Sequence, residues 1–172
     1  MAAVKGKDTR EMVGSFIETA FHSILYERSV YPSEVFERVH KFTVAVRRSR
    51  YPLLNTYINN VVTSLCGNFE KKTICKVVLA ITENIKSKPS RILERFCFEI
   101  KILEDSVDAA GVVLLEKQFQ ATLLKLSICS SLLTERKGCT WTVFMYNSNH
   151  EESEKHTRDW APLSMPDIEI KE

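Results

Sequence analysis

Apolar residues recur at helical spacing in three stretches of the chain. The first extends from Asp8 to Arg28, the second begins at Pro52 and ends near Gly67, and the third extends from about Ser106 to Leu133. Because positions i, i+3, i+4 and i+7 of a helix share one face, each stretch predicts a helix with one apolar side. Pro52 suits the first turn of its helix, and Gly67 suits a C-terminal stop.

Alternating apolar and polar residues predict strands between and after these helices. One half-buried strand covers Phe42 to Val46 and closes at a basic run, and a pair covers Thr73 to Thr82 and Arg91 to Leu103 with a loop over residues 84–90. A last strand covers Cys139 to Tyr146, where β-branched and aromatic residues follow a glycine. The polar residues after it predict that this strand ends in solvent.

The order of these elements predicts the fold class. Helix, strand, helix, two strands, long helix, strand and tail do not follow strict βαβ alternation. We therefore expect an α+β domain with three helices packed on one face of a largely antiparallel sheet. A chain of 172 residues suits one sizeable core, which predicts a single domain over residues 1–172, with its core at 8–146.

Composition and charge exclude several classes of protein. Twenty-four Lys and Arg residues against 22 Asp and Glu residues leave a net charge of +2, below that of a dedicated nucleic-acid binder. No apolar stretch reaches the ~20 residues of a membrane-spanning helix, so we expect a soluble intracellular protein. Five widely spaced cysteines without a CxxC pair predict small buried hydrophobes in a reduced compartment.

Enzymatic motifs do not occur in the sequence. It has no GxSxG, no glycine-rich phosphate loop and no HExxH, which predicts no enzymatic activity, no cofactor and no metal site. His150 and His156, beside three glutamates, fit a solvated charged loop better than a cation site, and His22 is predicted on a helix surface. Trp160 is an isolated indole in a polar tail, so either the tail folds back or the indole contacts a ligand.

The basic run Arg47-Arg48-Ser49-Arg50 could contact phosphate. Neither an aromatic platform nor a second basic cluster accompanies it in the sequence, so a solvated strand end is the preferred interpretation. Direct nucleic-acid binding through this run remains an alternative. Tyr57 likewise has a plain interpretation, as a core residue with a satisfied hydroxyl.

Five sequence motifs carry a resemblance to a known family, and they follow one another in unbroken order between Asp8 and Tyr146. The first is Ser23-Ile24-Leu25-Tyr26 followed by Val30-Tyr31-Pro32 and Phe36. The others are Pro52-Leu53-Leu54-Asn55-Thr56-Tyr57-Ile58, Glu94-Arg95-Phe96-Cys97-Phe98-Glu99-Ile100, Leu124-Lys125-Leu126-Ser127-Ile128-Cys129 and Gly138-Cys139-Thr140-Trp141-Thr142-Val143. With them the chain resembles the HORMA domain family. Within it, the chain resembles the Rev-seven branch, the mitotic-arrest-deficient-two-like (MAD2B-type) accessory subunits of DNA polymerase zeta.

The resemblance implies that a C-terminal "safety belt" wraps around an extended, proline-bearing peptide of a partner. By position, Tyr57 matches a peptide-contacting residue, Tyr31 and Trp141 fall beside aromatic sites near the peptide channel, and Trp160 corresponds to the tryptophan of the belt. The self-association surface of the family, which often carries arginine, falls on Gln120. Residues 147–172 form the belt region; only 26 residues follow Tyr146, and a short belt predicts weak trapping of a ligand.

The function that the resemblance implies is that of a non-enzymatic adaptor in DNA damage tolerance and repair. Its partner would be a peptide of the Rev-three-type catalytic subunit of polymerase zeta. Bridging to a Rev-one-type polymerase would depend on the short belt, and pairing with another HORMA protein would depend on Gln120. A spindle-checkpoint HORMA protein of the mitotic-arrest-deficient-two type is the alternative. We expect a nuclear protein with further pools in the cytoplasm and on the spindle.

Overall fold

The computed structural model describes residues 6–70, 74–83, 91–100, 108–134 and 138–147. These residues form two compact units, of which the first contains α1, β1, β2, most of α2, α3 and α4, and the second contains β3, β4 and β5. The predicted single domain over 1–172 stays a prediction. The elements are α1 (Gly6–Glu27), a short 3-10 turn (Ser33–Val35), β1 (Phe36–Lys41), β2 (Val44–Ser49), α2 (Pro52–Glu70), β3 (Ile74–Glu83), β4 (Ile92–Glu99), α3 (Ala109–Ser127), α4 (Cys129–Leu132) and β5 (Cys139–Asn147).

Helix α1 is the most deeply buried helix segment of the first unit. Its buried apolar residues are Phe16, Ile17, Ala20, Phe21, Ile24 and Leu25. The hydroxyls of Thr19 and Ser23, also buried, donate to the carbonyl oxygens four residues earlier, at 2.7 and 2.9 Å. These bonds within the helix satisfy polar groups that would otherwise lose their water partners at a cost of about 1–3 kcal/mol each. The predicted first helix is therefore confirmed.

Strands β1 and β2 form an antiparallel hairpin, with pairs from Phe36–Ser49 at its base to Lys41–Val44 at its tip. The prediction of a strand beginning at Phe42 is wrong, because Phe42 and Thr43 form the turn, with φ angles of +49° and +58°. β1 was missed altogether. Only Phe36 is buried among its six residues, so the strand lacks the apolar alternation that identifies a half-buried strand.

The hairpin tip is held by an aromatic cluster. The Phe42 ring meets the Phe119 ring edge to face at 5.4 Å between centroids, and Phe119 stacks on Phe16 at 4.2 Å. Two positive φ angles in a two-residue loop are typical of a type I′ turn, which favours Asn-Gly. Phe42 and Thr43 are costly there, at about 1–3 kcal/mol for each residue held in this region. Packing of the Phe42 ring on Phe119 of α3, which itself stacks on Phe16 of α1, offsets that strain.

Two predicted helix boundaries are wrong. Helix α2 continues past Gly67 to Glu70. A glycine inside a helix costs only about 1 kcal/mol relative to alanine, which the rest of the helix absorbs. The long third helix is interrupted at Ile128 (φ −109°, ψ 1°), whose N–H bonds to the carbonyl of Lys125, three residues back, and this tightens the last turn of α3 before α4 begins.

The second unit is an antiparallel sheet in the order β4-β3-β5. Five consecutive residues of β3, Val77 to Ile81, are buried, so the described part of this central strand is covered on both faces. On β4, Phe96 and Phe98 are half-buried while the residues between and after them are exposed, which confirms the predicted alternation. Cys97 is one of the exposed residues, so its prediction as a buried hydrophobe is wrong; it lies on the wet face of an outer strand.

His22 is buried, and its prediction as a helix-surface residue is wrong. Its side chain is 2% exposed, and Nδ1 accepts a hydrogen bond from the Ser49 N–H at 3.4 Å, which connects α1 to the end of β2. No hydrogen-bond partner for Nε2 is found among the described residues. Burial, together with the nearby Arg48 guanidinium, lowers the pKa of His22 to about 4. The folded protein therefore holds this imidazole neutral.

Acid should destabilise the protein through His22. The unfolded chain binds a proton at the ordinary pKa of 6.5, whereas the folded chain resists protonation down to about pH 4. The contribution of neutral His22 is complete above pH 6.5 and is lost as the pH falls, by about 2 kcal/mol between pH 7 and pH 5. Urea unfolding at the two pH values should show this loss in the parent and in H40Q, which changes an exposed histidine. The loss of stability between the two pH values should be smaller in H22Q. An equal loss in H22Q would show that His22 does not cause it.

Relief of the turn strain should stabilise the hairpin. T43G removes a β-branched side chain from a positive φ angle, and the gain should exceed the added entropy of the unfolded chain. We expect the free energy of unfolding to rise by about 1 kcal/mol. The matched control is T56G, at an exposed position inside α2, where the same substitution should lower stability. A loss in both variants would show that Thr43 is not strained.

Candidate functional site

Strand β5 carries Trp141, one of the residues that the resemblance places near the peptide channel. It pairs with β3 over its whole length, with Trp141 opposite Ile81 and Val143 opposite Leu79, and it is an outer strand of the described sheet. The predicted strand from Cys139 to Tyr146 is therefore confirmed. Trp141 is 1% exposed and belongs to the largest fully buried side chains. In this structure its indole packs in the core, and its part in peptide binding stays a prediction.

Lys76 contacts both neighbouring strands at one end of this sheet. Its ammonium lies 5.8 Å from the centre of the Tyr146 ring on β5 and 4.0 Å from Glu99 Oε1 on β4. Lys76 is the direct cross-strand partner of both residues. Because the side chains of directly paired residues lie on one face, a single cation joins all three strands there.

Tyr57 and Tyr31 both lie in the first unit, and the structure brings them close enough to interact. Tyr57 is in α2 and is 7% exposed, while Tyr31 is half-buried in the segment after α1. Burial, and then the Tyr31 phenol, raise the pKa of Tyr57 above its ordinary value of 10.0. The Tyr57 phenol therefore stays a neutral donor at physiological pH. Any contact with a partner at Tyr57 would have to reach a ring that is largely covered.

Gln120 is half-buried on α3, at the border of an exposed apolar surface. Residues seven and eleven positions apart share a helix face, so Val113, Gln120 and Leu124 lie on the same side of α3. Val113 and Leu124 are both more than half exposed, whereas Phe119 and Leu123 on the next side are buried. Sequence reasoning missed this surface. Valine and leucine occur on both sides of the helix, so the pattern alone does not tell the exposed side from the buried one.

The remaining candidates fall into two groups. Trp160, His150, His156 and the belt region after Asn147 lie outside the described residues. In the basic run, Arg47 lies over the Tyr26 ring, Arg48 is 3.9 Å from a Glu18 carboxylate oxygen, and Arg50 donates to the Glu34 carbonyl oxygen. The described ranges contain no group of three His, Cys, Asp or Glu side chains that could hold a metal ion. Among the described helices, none has the length and apolar character to cross a bilayer.

Comparisons with known proteins agree with this architecture. The HORMA domain model matches residues 9–160. The mitotic spindle assembly checkpoint protein MAD2B of Homo sapiens is 33% identical over 169 residues, covering 96% of this chain and 73% of that protein. The DNA polymerase zeta processivity subunit of Arabidopsis thaliana is 31% identical over 150 residues, covering 86% of this chain and 68% of that protein.

Solved structures show the same fold. A chain in the crystal structure of the mitotic checkpoint complex superimposes with a TM-score of 0.73 at 28% identity, covering 94% of this chain and 84% of that chain. C. elegans HTP-2 bound to the HIM-3 closure motif superimposes with a TM-score of 0.68 at 13% identity, covering 91% and 77%. This chain therefore belongs to the HORMA domain family, and its fold is mixed α+β with antiparallel sheets, as predicted.

Proposed function

We propose that this HORMA domain protein is a non-enzymatic adaptor, the accessory subunit of translesion DNA polymerase zeta, which binds an extended, proline-bearing segment of the catalytic subunit. It would act in DNA damage tolerance and repair, in the nucleus with further pools in the cytoplasm and on the spindle. Relatives named as DNA polymerase zeta processivity subunits support the assignment to this polymerase. Relatives named as the mitotic spindle assembly checkpoint protein MAD2B support a link to mitosis. Bridging to a Rev-one-type polymerase would rest on residues 147–172.

The observation that carries this proposal is the position of β5. The nine-residue strand β5 is the outer strand of the described sheet, and C. elegans HTP-2, which is solved with a bound closure motif, shares the fold. An extended segment can add to such a sheet through main-chain hydrogen bonds, which provide affinity, while side-chain contacts select the sequence. The resemblance of the chain to its family assigns Tyr57, Tyr31, Trp141 and Trp160 as aromatic contacts of a bound peptide, each by its position in the sequence.

Substitution of Tyr57 tests the aromatic contact. With a labelled peptide of the catalytic subunit, Y57A should weaken binding about tenfold, a loss of about 1.4 kcal/mol that is moderate for a buried aromatic contact. Y57F keeps the ring and loses only the hydroxyl, so it should weaken binding less. Fluorescence anisotropy gives both affinities.

The control for Tyr57 is Y51A, which removes a half-buried tyrosine just before α2. It should leave binding close to that of the parent protein. Thermal unfolding of each variant separates lost contact from lost fold, because Tyr57 is buried and its truncation also creates a cavity. Parent-like affinity in Y57A would remove Tyr57 from the binding site.

Pairing with a second HORMA domain is the other candidate function, and the exposed side of α3 favours it. Leu124 and Val113 flank Gln120, which corresponds to the self-association surface implied by the family. Exposed apolar side chains grouped on one face are typical of interaction sites. Gln120 places an uncharged amide there, so apolar contacts would provide most of the affinity.

A charge placed on this face should abolish pairing. L124E should lower the fraction of dimer in sedimentation equilibrium, because association would bury the new carboxylate without a partner. The matched control is L114E, which changes a leucine of similar exposure, 59% against 55%, about a quarter-turn or more away from that side. Equal loss in both variants, or no dimer in the parent at high concentration, would contradict this function.

A further inference from the structure

The β1–β2 hairpin concentrates positive charge. Residues 36–50 contain five Lys and Arg residues and one glutamate, a net charge of +4 in a chain whose total is +2. Four of these cations, Arg38, Lys41, Arg48 and Arg50, are exposed, and Arg47 is half-buried. In the sequence, no second basic cluster stands beside the run at 47–50. In the structure, pairing of β1 with β2 brings the cations of β1, Arg38 and Lys41, next to that run.

The pairing also creates a charge conflict. Arg38 on β1 is the direct cross-strand partner of Arg47 on β2, and exposed His40 is the next residue on the same face. Like charges directly opposite each other destabilise a sheet. Two acids lie on the other face of the hairpin, where Glu37 is opposite Arg48 and Glu18 lies 3.9 Å from Arg48. Among the described residues, no ion pair joins Arg38 or Arg47 to an acid.

An aromatic residue holds one member of this pair in place. The Arg47 guanidinium lies 4.6 Å from the centre of the Tyr26 ring, and the Tyr26 ring meets Phe36 edge to face at 5.5 Å. A cation over an aromatic ring keeps its N–H groups as donors for another ligand. Positioned in this way, the Arg38–Arg47 pair can bind the oxygens of a phosphate, which guanidinium groups match in geometry.

We propose that the exposed face of the β1–β2 hairpin binds the phosphodiester backbone of DNA. Arg38 and Arg47 contact phosphate directly, and His40 lies beside them. Lys41, on the other face near the tip, and Arg50 at the base add to the positive field. The hairpin is about 17 Å long by strand geometry, so its charges fit a row of phosphates better than a single phosphorylated side chain. Because the Arg47 guanidinium covers the face of the Tyr26 ring, a base cannot stack on that face. Binding should therefore be independent of the DNA sequence.

Fluorescence anisotropy with a labelled 20-base-pair duplex, and with its single strand, tests this inference on the full chain without a protein partner. The affinity should fall steeply with added salt. R38Q should reduce affinity several-fold at low salt and lower the slope of log K against log salt by about 0.9 for the duplex and about 0.7 for the single strand. R91Q removes the same charge from an exposed arginine before β4 and should leave both quantities unchanged.

The melting temperature is a second readout, which separates DNA binding at this hairpin from nonspecific electrostatic attraction. Removal of one member of a like-charge pair should raise the melting temperature of R38Q above that of the parent, so stability and DNA affinity should change in opposite directions. The inference is overturned if neither DNA form binds, if R38Q and R91Q lose the same affinity, or if a phosphoserine peptide binds and DNA does not. A negative result for DNA binding would not contradict the proposed peptide binding, because peptide binding is tested with a different ligand and with substitutions of Tyr57.

Discussion

The antiparallel ladder between β3 and β5 is the interaction on which the candidate peptide site depends. It places Trp141 opposite Ile81 and Val143 opposite Leu79, all of them buried. A shift of one residue would turn the indole to the other face of the strand, so burial of this side chain specifies the register strongly. Near the other end of the ladder, Lys76 contacts the Tyr146 ring of β5. β5 is therefore set in its position by its own unit, and a segment that adds to it would not have to order the strand it joins.

Elements with a strong apolar period were predictable, and those without one were not. β5 alternates β-branched and aromatic residues after Gly138, and α1 carries apolar residues through five turns, so both were identified from the sequence. β1 has one apolar residue on each face, buried Phe36 and half-buried Val39, so it lacks an apolar alternation, and its pairing with β2 leaves no trace in the apolar pattern. His22 was misplaced for the opposite reason. α1 is buried around almost its whole circumference, and there a polar residue type does not indicate exposure.

The same limits apply to the candidate sites. A resemblance in motif order was enough to identify the family, and it assigned Tyr57, Tyr31, Trp141 and Gln120 to roles by position alone. The structure adds the exposure of each side chain, which the position in the sequence does not give. Tyr57 and Trp141 are covered side chains, while the exposed leucine and valine around Gln120 form a surface. Because Leu123 and Leu124 are the same residue type on different sides of α3, only the packing of the helix separates a core residue from a contact residue.

Net charge of the whole chain is a poor guide to the partners of the hairpin. Exposed charges are screened over about 8 Å at physiological ionic strength, so a ligand at the hairpin responds to the charges around it and not to the total of +2. Those charges are the net +4 of residues 36–50 and the Glu18 carboxylate beside Arg48. This element also breaks two local rules at once, with a β-branched residue at positive φ in its turn and two arginines paired directly across its strands. The Phe42–Phe119–Phe16 cluster and the Arg47–Tyr26 contact offset these costs. Departures from local preference that the surrounding packing sustains are typical of functional sites. Their coincidence on one short hairpin is the physical reason to assign it a ligand of opposite charge.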